Sequence, residues 1–231
     1  MLTGPQNAAS TLARVRARIA AAARAAGRDP DEITLIGVTK GHPGDAVRAA
    51  LAAGLTHCGE NFVQEGVPKV LAVDDPRVTW HFIGALQSNK TRAVAEHFDW
   101  VHTVDRLKIA RRLAEHRPHG LPPLQVCLQL RIGDEPGKSG ADAAALPGLA
   151  EEVCALPRLV LRGLMCIPPE EDEPSRQRHW FAELRRHRDR LAALGHRLDV
   201  LSMGMSSDFE QAIAEGATHV RIGTAIFGPR G

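Results

Sequence analysis

The stretch Ile33-Thr34-Leu35-Ile36-Gly37-Val38-Thr39-Lys40 decides the fold. It is an apolar, β-branched run that ends on a lysine, and Gly41-His42-Pro43-Gly44 stops it at once. A short run of this kind, bounded by Pro and Gly, reads as a strand buried on both faces, as the strands of parallel sheets are. Lys40 then stands at the strand's carboxyl end. Ligands of parallel α/β sheets and barrels bind beyond those ends, so a lysine there is placed for chemistry. Taken alone, the position equally suits a solvated strand-end residue. The rest of the chain has to decide between the two.

Upstream, Leu12, Val15, Ile19, Ala22 and Ala26 recur at helical spacing, with Ser10 as the N-cap and Gly27 as the stop. The same acid-free, Arg- and Ala-rich segment resembles an organelle transit peptide, but it runs into the first strand with little room for cleavage. We read it as a structural helix. Downstream, strands are expected at residues 56–59, 78–83, 100–103, 124–130, 160–165, 198–202 and 219–222. Helical segments lie between them at 45–53, from within Glu60-Asn61-Phe62-Val63-Gln64-Glu65, from near Asn89, and at 106–116, 143–155, 175–194 and 209–216.

Eight strands alternating with seven helices, plus one extra amino-terminal helix, is the count of a single (β/α)8 TIM barrel, one domain spanning residues 1–231. A doubly wound open sheet would need a switch point and, usually, a glycine-rich first turn. Gly223-Thr224-Ala225-Ile226-Phe227-Gly228 has two of the three fingerprint glycines and follows the last strand, so it does not supply one.

Composition narrows the function. The chain is 44% hydrophobic and 24% charged with a formal net charge of +2, the profile of an ordinary soluble protein. That balance gives no reason to expect nucleic acid or an acidic membrane as a partner. Arg185, Arg186, Arg188 and Arg190 fall on a helical segment and read as a solvated face. Cys58, Cys127, Cys154 and Cys166 have no CxxC spacing and read as buried or reduced thiols of a cytoplasmic protein, with Cys166 packed in the core. The histidines show no HExxH, HxH or Cys/His pattern, so no metal site is expected. No apolar run approaches the roughly 20 residues that span a bilayer.

In a barrel, the residues that follow each strand share one rim. Here that rim carries Lys40, Glu60, Asn61, Gln87, Asn89, Lys90, Glu135, Lys138, Met165, Cys166, Ser202, Ser206, Ser207, Arg221 and Thr224. Barrels frequently hold phosphate between the loops after strands seven and eight, where glycine permits close approach and hydroxyls and helix N–H groups donate. Met203-Gly204-Met205-Ser206-Ser207-Asp208 and Gly223-Thr224 offer those groups, although either serine alone would serve equally as a helix cap. A phosphate cup across the mouth from a lysine points to pyridoxal 5′-phosphate held by a Schiff base to Lys40. A Schiff-base aldolase acting on a sugar phosphate uses the same two parts.

The residues also carry a resemblance. Val38-Thr39-Lys40, Gly59-Glu60-Asn61-Phe62-Val63-Gln64-Glu65, His81-Phe82-Ile83-Gly84-Ala85-Leu86-Gln87-Ser88-Asn89-Lys90, Arg162-Gly163-Leu164-Met165, Leu201-Ser202-Met203-Gly204-Met205-Ser206-Ser207-Asp208 and the closing Val220-Arg221-Ile222-Gly223-Thr224-Ala225-Ile226-Phe227-Gly228 resemble the pyridoxal phosphate homeostasis protein family. These are barrel-only relatives of alanine racemase, and the match runs from about residue 10 to 228. The resemblance implies that Lys40 is the Schiff-base lysine, that Ser206, Gly223 and Thr224 bind phosphate, and that Arg221 faces the pyridine nitrogen. Asn61, Met165 and Ser202 complete the expected cofactor-binding set, and Lys138 matches the family's second lysine, implicated as an alternative cofactor site. Two positions depart from the pattern. Thr39 stands where serine is expected, and Gly41-His42 where a Thr-Lys pair is common, which removes a positive charge near the cofactor.

Racemases of this barrel type use two bases, a lysine and a tyrosine from a second domain. This chain contains no tyrosine, and nothing in the spacing singles out Lys90, His81 or Cys166 as a substitute. The expected function is therefore intracellular pyridoxal 5′-phosphate homeostasis, as a carrier or buffer with little or no turnover and no catalytic residue assigned. The competing reading is a small pyridoxal-phosphate-dependent amino-acid racemase or related enzyme of the same barrel class; a protein-binding scaffold is a third and weaker one. Expected partners are the cofactor and, as recipients, apo-enzymes that use it; the expected state is a monomer or weak dimer.

Overall fold

A computed structural model describes residues 5–133 and 139–228, with side chains from residue 8 onward. Glu135 and Lys138 therefore lie outside the described residues. Eight parallel strands close into a barrel in sequential order: β1 (Thr34–Val38), β2 (His57–Glu60), β3 (Thr79–Phe82), β4 (Trp100–Val104), β5 (Leu124–Gln129), β6 (Leu159–Met165), β7 (Val200–Ser202) and β8 (His219–Ile222). The helices are α1 (Pro5–Ala25), α2 (Gly44–Ala52), α3 (Val63–Val73), α4 (Thr91–His97), α5 (Leu107–His116), α6 (Leu146–Cys154), α7 (Pro174–Ala193), α8 (Phe209–Ala214) and α9 (Thr224–Phe227). The expected (β/α)8 barrel with a leading helix is what the chain forms. Among the described residues no helix is long and apolar enough to cross a membrane.

The amino-terminal helix buries Leu12, Val15, Ile19 and Ala23, near the stripe read from sequence. It begins at Pro5, so Ser10 lies inside the helix rather than capping it. The helix packs against α8, α9 and α2, and Thr11 Oγ1 donates to Ile226 O of α9 at 3.0 Å.

The main core lies between barrel and helices: Val47, Leu51 and Leu55 under α2, Phe82 edge-on to Phe98 at 5.5 Å, and Phe181, Leu184 and Phe209 under α7 and α8. Glycine permits the closest approaches. A Cβ on Gly37 would stand 2.4 Å from Leu55 Cδ2, and one on Gly163 would stand 1.8 Å from Val200 O. The former lets the outer layer close on β1. The latter lets β6 and β7 run against each other.

The barrel interior differs from the usual filling of Val, Ile and Leu. A small apolar cluster of Trp100, Cys127, Met165 and Val200 occupies one part of it. The rest is polar: His81, His102 and His219 crowd around Trp100, with His57 beyond His81 and with Ser202 and Arg221 nearer the mouth. His81, His102 and Ser202 are completely buried.

Where the elements differ from the sequence reading, the ends differ. β1 stops at Val38, two residues before Lys40, because Gly41 at φ +75 turns the chain and His42 N–H bonds Thr39 O at 3.0 Å. The first strand's last ladder contact is Thr39 N–H to Gly59 O, 2.9 Å. α6 begins at Leu146 rather than residue 143, and α9 is a helical turn that the periodicity did not announce. Four helical residues are too few to show a period.

Candidate functional site

Alternation along β1 turns Ile36, Val38 and Lys40 to one side and Gly37 and Thr39 to the other. Gly37 faces Leu55 and Phe227 of the helical layer, so β1 turns Ile36 and Val38 to the axial side, and Lys40 follows two residues after the strand's end. Its two neighbours are fixed from outside. The buried Lys69 of α3 donates to Thr39 O at 2.7 Å, to Glu60 Oε1 at 2.6 Å and to Glu65 Oε1 at 2.9 Å. The Thr39 hydroxyl donates to Glu60 Oε1, and Gly41 N–H donates to Glu65 Oε1. The peptide on each side of Lys40 is thus tethered to α3 and β2.

Glu60, which the sequence placed on the rim, turns instead toward α3. Burial pushes its carboxyl pKa up, against the pull of the Lys69 and Thr39 hydrogen bonds. Its second oxygen, Oε2, is buried without a partner. Thr39 does keep a hydroxyl at the position before the lysine, and that hydroxyl is spent on Glu60 rather than directed to the mouth.

Across the mouth, the loop after β7 is bound to β8. Met203 N–H bonds His219 O at 3.1 Å and Arg221 N–H bonds Gly204 O at 3.0 Å. Gly204 adopts φ +93, where a Cβ would meet the Ala212 Cβ at 2.6 Å. The turn into α8 is closed by Asp208, whose Oδ1 accepts from Met205 N–H at 2.6 Å. Burial raises the pKa of that carboxyl. Neither Ser206 nor Ser207 caps α8, so the helix-cap alternative does not account for them. Ser206 is half-buried and Ser207 exposed.

After β8, Gly223 packs against Val38, at 3.3 Å from Val38 O to its notional Cβ, and Thr224 opens α9. The β1–β8 register pairs Ile36 with Arg221 and Gly37 with Ile222, so this loop stands directly beside the end of β1. His42, the departure noted after Lys40, has its ring 5.2 Å from that of Phe227 of α9.

Arg221 lies between the two sides. It is buried, and its Nη1 donates to Ser202 Oγ at 2.8 Å while Nη2 donates to Cys166 O at 2.9 Å. Ser202 Oγ also lies 2.8 Å from His102 Nδ1. From there ring nitrogens follow in file, His102 to His81 at 2.9 Å and His81 to His57 at 2.9 Å. Burial holds the pKa values of His81 and His102 well below the usual imidazole range, and neighbouring imidazoles and Arg221 push the same way. His219 is lowered to about 4, by burial first.

Of the residues expected to hold a cofactor, Lys40, Ser206, Gly223 and Thr224 follow strand ends at this mouth, and Arg221 reaches toward it from β8. Asn61 follows β2 and leaves Oδ1 buried without a partner among the described residues. Met165 and Ser202 end β6 and β7 and pair with each other in register. Met165 is buried in the interior apolar cluster, and Ser202 reaches the mouth only through Arg221. Lys69, Glu65, Asp208 and the histidine file were not foreseen. Only the parity of His81 and His102 on their strands could have signalled them, once the barrel was assumed.

A family model described as the alanine racemase N-terminal domain matches residues 10–231. A pyridoxal phosphate homeostasis protein of Pseudomonas aeruginosa is 56% identical over 222 residues, covering 96% of this chain and 95% of that one. One from Escherichia coli is 54% identical over 228 residues, covering 96% of each. PipY of Synechococcus elongatus, solved with PLP bound, superposes with a TM-score of 0.84 at 39% identity, over 96% of this chain and 100% of that chain. Alanine racemase of Corynebacterium glutamicum shares the fold at a TM-score of 0.71 and 16% identity, over 93% of this chain and 61% of that chain.

Proposed function

The chain belongs to the pyridoxal phosphate homeostasis protein family, built on the alanine racemase N-terminal barrel, and on that footing we propose that it binds pyridoxal 5′-phosphate and serves its homeostasis as a carrier or buffer. One observation carries the reading: the chain's Lys40 loop and the Gly223-Thr224 turn abut through Val38, and the loop that carries Ser206 is tied to β8, which leads into that turn, by Arg221 N–H to Gly204 O. An amine, a glycine- and hydroxyl-bearing anion cradle and a buried guanidinium thus share one mouth. The residues fit the group. When bound, its aldehyde supplies an electrophile for a primary amine, and Lys40 is the amine we assign to it.

Ser206, Gly223 and Thr224 are assigned to the phosphate, with the Thr224 and Ala225 N–H groups that open α9 behind them. We assign Asn61 to the mouth and Met165, buried at the end of β6, to its floor; Ser202 orients Arg221, and Arg221 donates toward the ring nitrogen. A guanidinium remains protonated and only donates, so the ring nitrogen it meets keeps its lone pair and the ring is a weak electron sink. With no tyrosine in the chain to act as a second base, this supports binding with little or no turnover in a single barrel domain. The described cysteines are free thiols, which supports a cytoplasmic setting. We assign apo-enzymes as recipients and a monomer or weak dimer as the working state.

The test is the visible absorbance of the protein loaded with pyridoxal phosphate, followed by borohydride reduction and mass analysis of the labelled peptide. Label on Lys40, and loss of the band in Lys40→Ala, is the expected result. Label on Lys138 with the band retained in Lys40→Ala would overturn the assignment. Incubating the loaded protein with single L-amino acids in deuterated water separates carrier from racemase, since stereoinversion with α-deuteration belongs only to the latter.

A further inference from the structure

The file of rings inside the barrel has two ends of different kind. Its upper end is Arg221, a group that donates and never accepts. Its lower end, His57, is half-buried at the amino-terminal opening, beside a hollow lined by Arg16, Arg24, Asp31 and Thr56. Between them run Ser202 Oγ, His102 and His81, each at hydrogen-bond distance from the next.

For uncharged rings, two proton patterns satisfy these spacings. In the first, the Ser202 hydroxyl donates to His102 Nδ1, and every ring carries its proton on Nε2 and donates it to the Nδ1 of the next. In the second, every ring is protonated on Nδ1, and Ser202 Oγ accepts from both Arg221 and His102. The second pattern leaves the Ser202 O–H, completely buried, with no acceptor among the described residues. An unmet buried donor biases such a choice by roughly tenfold to a hundredfold. The first pattern uses every nitrogen that the file brings together.

We infer that Arg221 polarises this file, holding His102, His81 and His57 as Nε2–H tautomers, and that His102 and His81 are positioning residues that keep Ser202 Oγ aimed to receive the guanidinium. The groups that face the file are His219 toward His81 and His102, and Asp99 toward His57. Burial keeps the inner two rings uncharged near neutrality. The bearing of the file on cofactor binding rests on the reading of Arg221 given above, whereas the tautomer pattern does not.

The experiment is long-range proton–nitrogen NMR of histidine-labelled, cofactor-free protein at neutral pH. All three rings are expected to show a pyridine-type Nδ1 and a pyrrole-type Nε2. A protonated Nδ1 on His81 or His102, as the neutral tautomer or as imidazolium, overturns the inference. Arg221→Lys keeps an obligate donor and is expected to keep the pattern; Arg221→Gln offers the Ser202 O–H an acceptor and is expected to give His102 a mixture of tautomers, and an unchanged pattern there sinks the role of Arg221. Should that variant not fold, His57→Gln decides from the other end. Its inner rings stay unchanged if polarity comes from Arg221 and are scrambled if it comes from His57. Failure of pyridoxal phosphate to bind would leave these results standing and sink only the proposed function. Wrong tautomers beside normal binding would sink only the file.

Discussion

Acidification from about pH 7 to about pH 4.5 is expected to destabilise this fold, and the loss begins before carboxylates of ordinary pKa protonate. The cause is the polar barrel interior. An imidazole in the unfolded chain takes up a proton near pH 6.5, whereas folded His219 holds off until about 4 because burial opposes its charge. Across that window the unfolded state binds more protons, so stability is complete above the unfolded value and is lost as pH falls. One such group costs about 1.4 kcal/mol per pH unit, and the span from 6.5 to about 4 makes about 3 kcal/mol for His219 alone. His81 and His102, lowered by burial and by neighbouring positive charge, act in the same direction, as does half-buried His57. Glu60 and Asp208 oppose them, since burial raises both carboxyls and their penalty is relieved on protonation. Four imidazoles against two carboxyls leave a net loss, set against a typical domain stability of about 5–15 kcal/mol. Urea denaturation followed by circular dichroism at a series of pH values measures it. His219→Met removes one proton from the difference and should flatten the slope by about 1.4 kcal/mol per pH unit. Stability that is flat or rising from about pH 6.5 to about pH 5, or an unaltered slope in His219→Met, would refute the reasoning.

Three further outcomes follow from contacts described above. Gly163→Ala places a Cβ 1.8 Å from Val200 O, backbone against backbone, and should cost about 1–3 kcal/mol or more in urea denaturation. Lys69→Met removes the cation shared by Glu60, Glu65 and Thr39 O; breaking a buried pair of this kind costs about 3 kcal/mol, and the freed Lys40 loop should show faster amide exchange at Gly41. Ser206→Ala, at a half-buried hydroxyl that caps no helix, should weaken pyridoxal phosphate binding roughly tenfold or more, the worth of one hydrogen bond to a charged group, with urea stability within about 0.5 kcal/mol of the parent. Unchanged affinity would move the phosphate away from that loop.

Legibility followed the range of the interactions involved. Strand number and order were readable because β1, β5 and β6 are largely apolar runs bounded by Gly or Pro and the shorter strands recur between helical segments, and those patterns are local. The α1 face was readable for the same reason, yet its start was not, since Ser10 has the chemistry of a cap and sits inside the helix. Lys40 is proposed from its place after β1, and the Ser206 and Gly223 loops from their glycines and hydroxyls. The support beneath Lys40 was not found. Glu60 and Lys69 are nine residues apart and meet only because β2 and α3 pack side by side with those faces inward.

By itself the sequence determined the parallel barrel, its eight strands and the loop chemistry at their carboxyl ends, because periodicity, turn residues and strand-end position are properties of neighbouring residues. Only the tertiary structure decided what those parts do to one another. Closing β8 against β1 brings Gly223 onto Val38, and rolling the sheet into a cylinder aims His57, His81, His102, Ser202 and Arg221 at a single axis. Those side chains come from five strands, and no local pattern records that they meet; burial and the need to satisfy every buried polar atom impose their order.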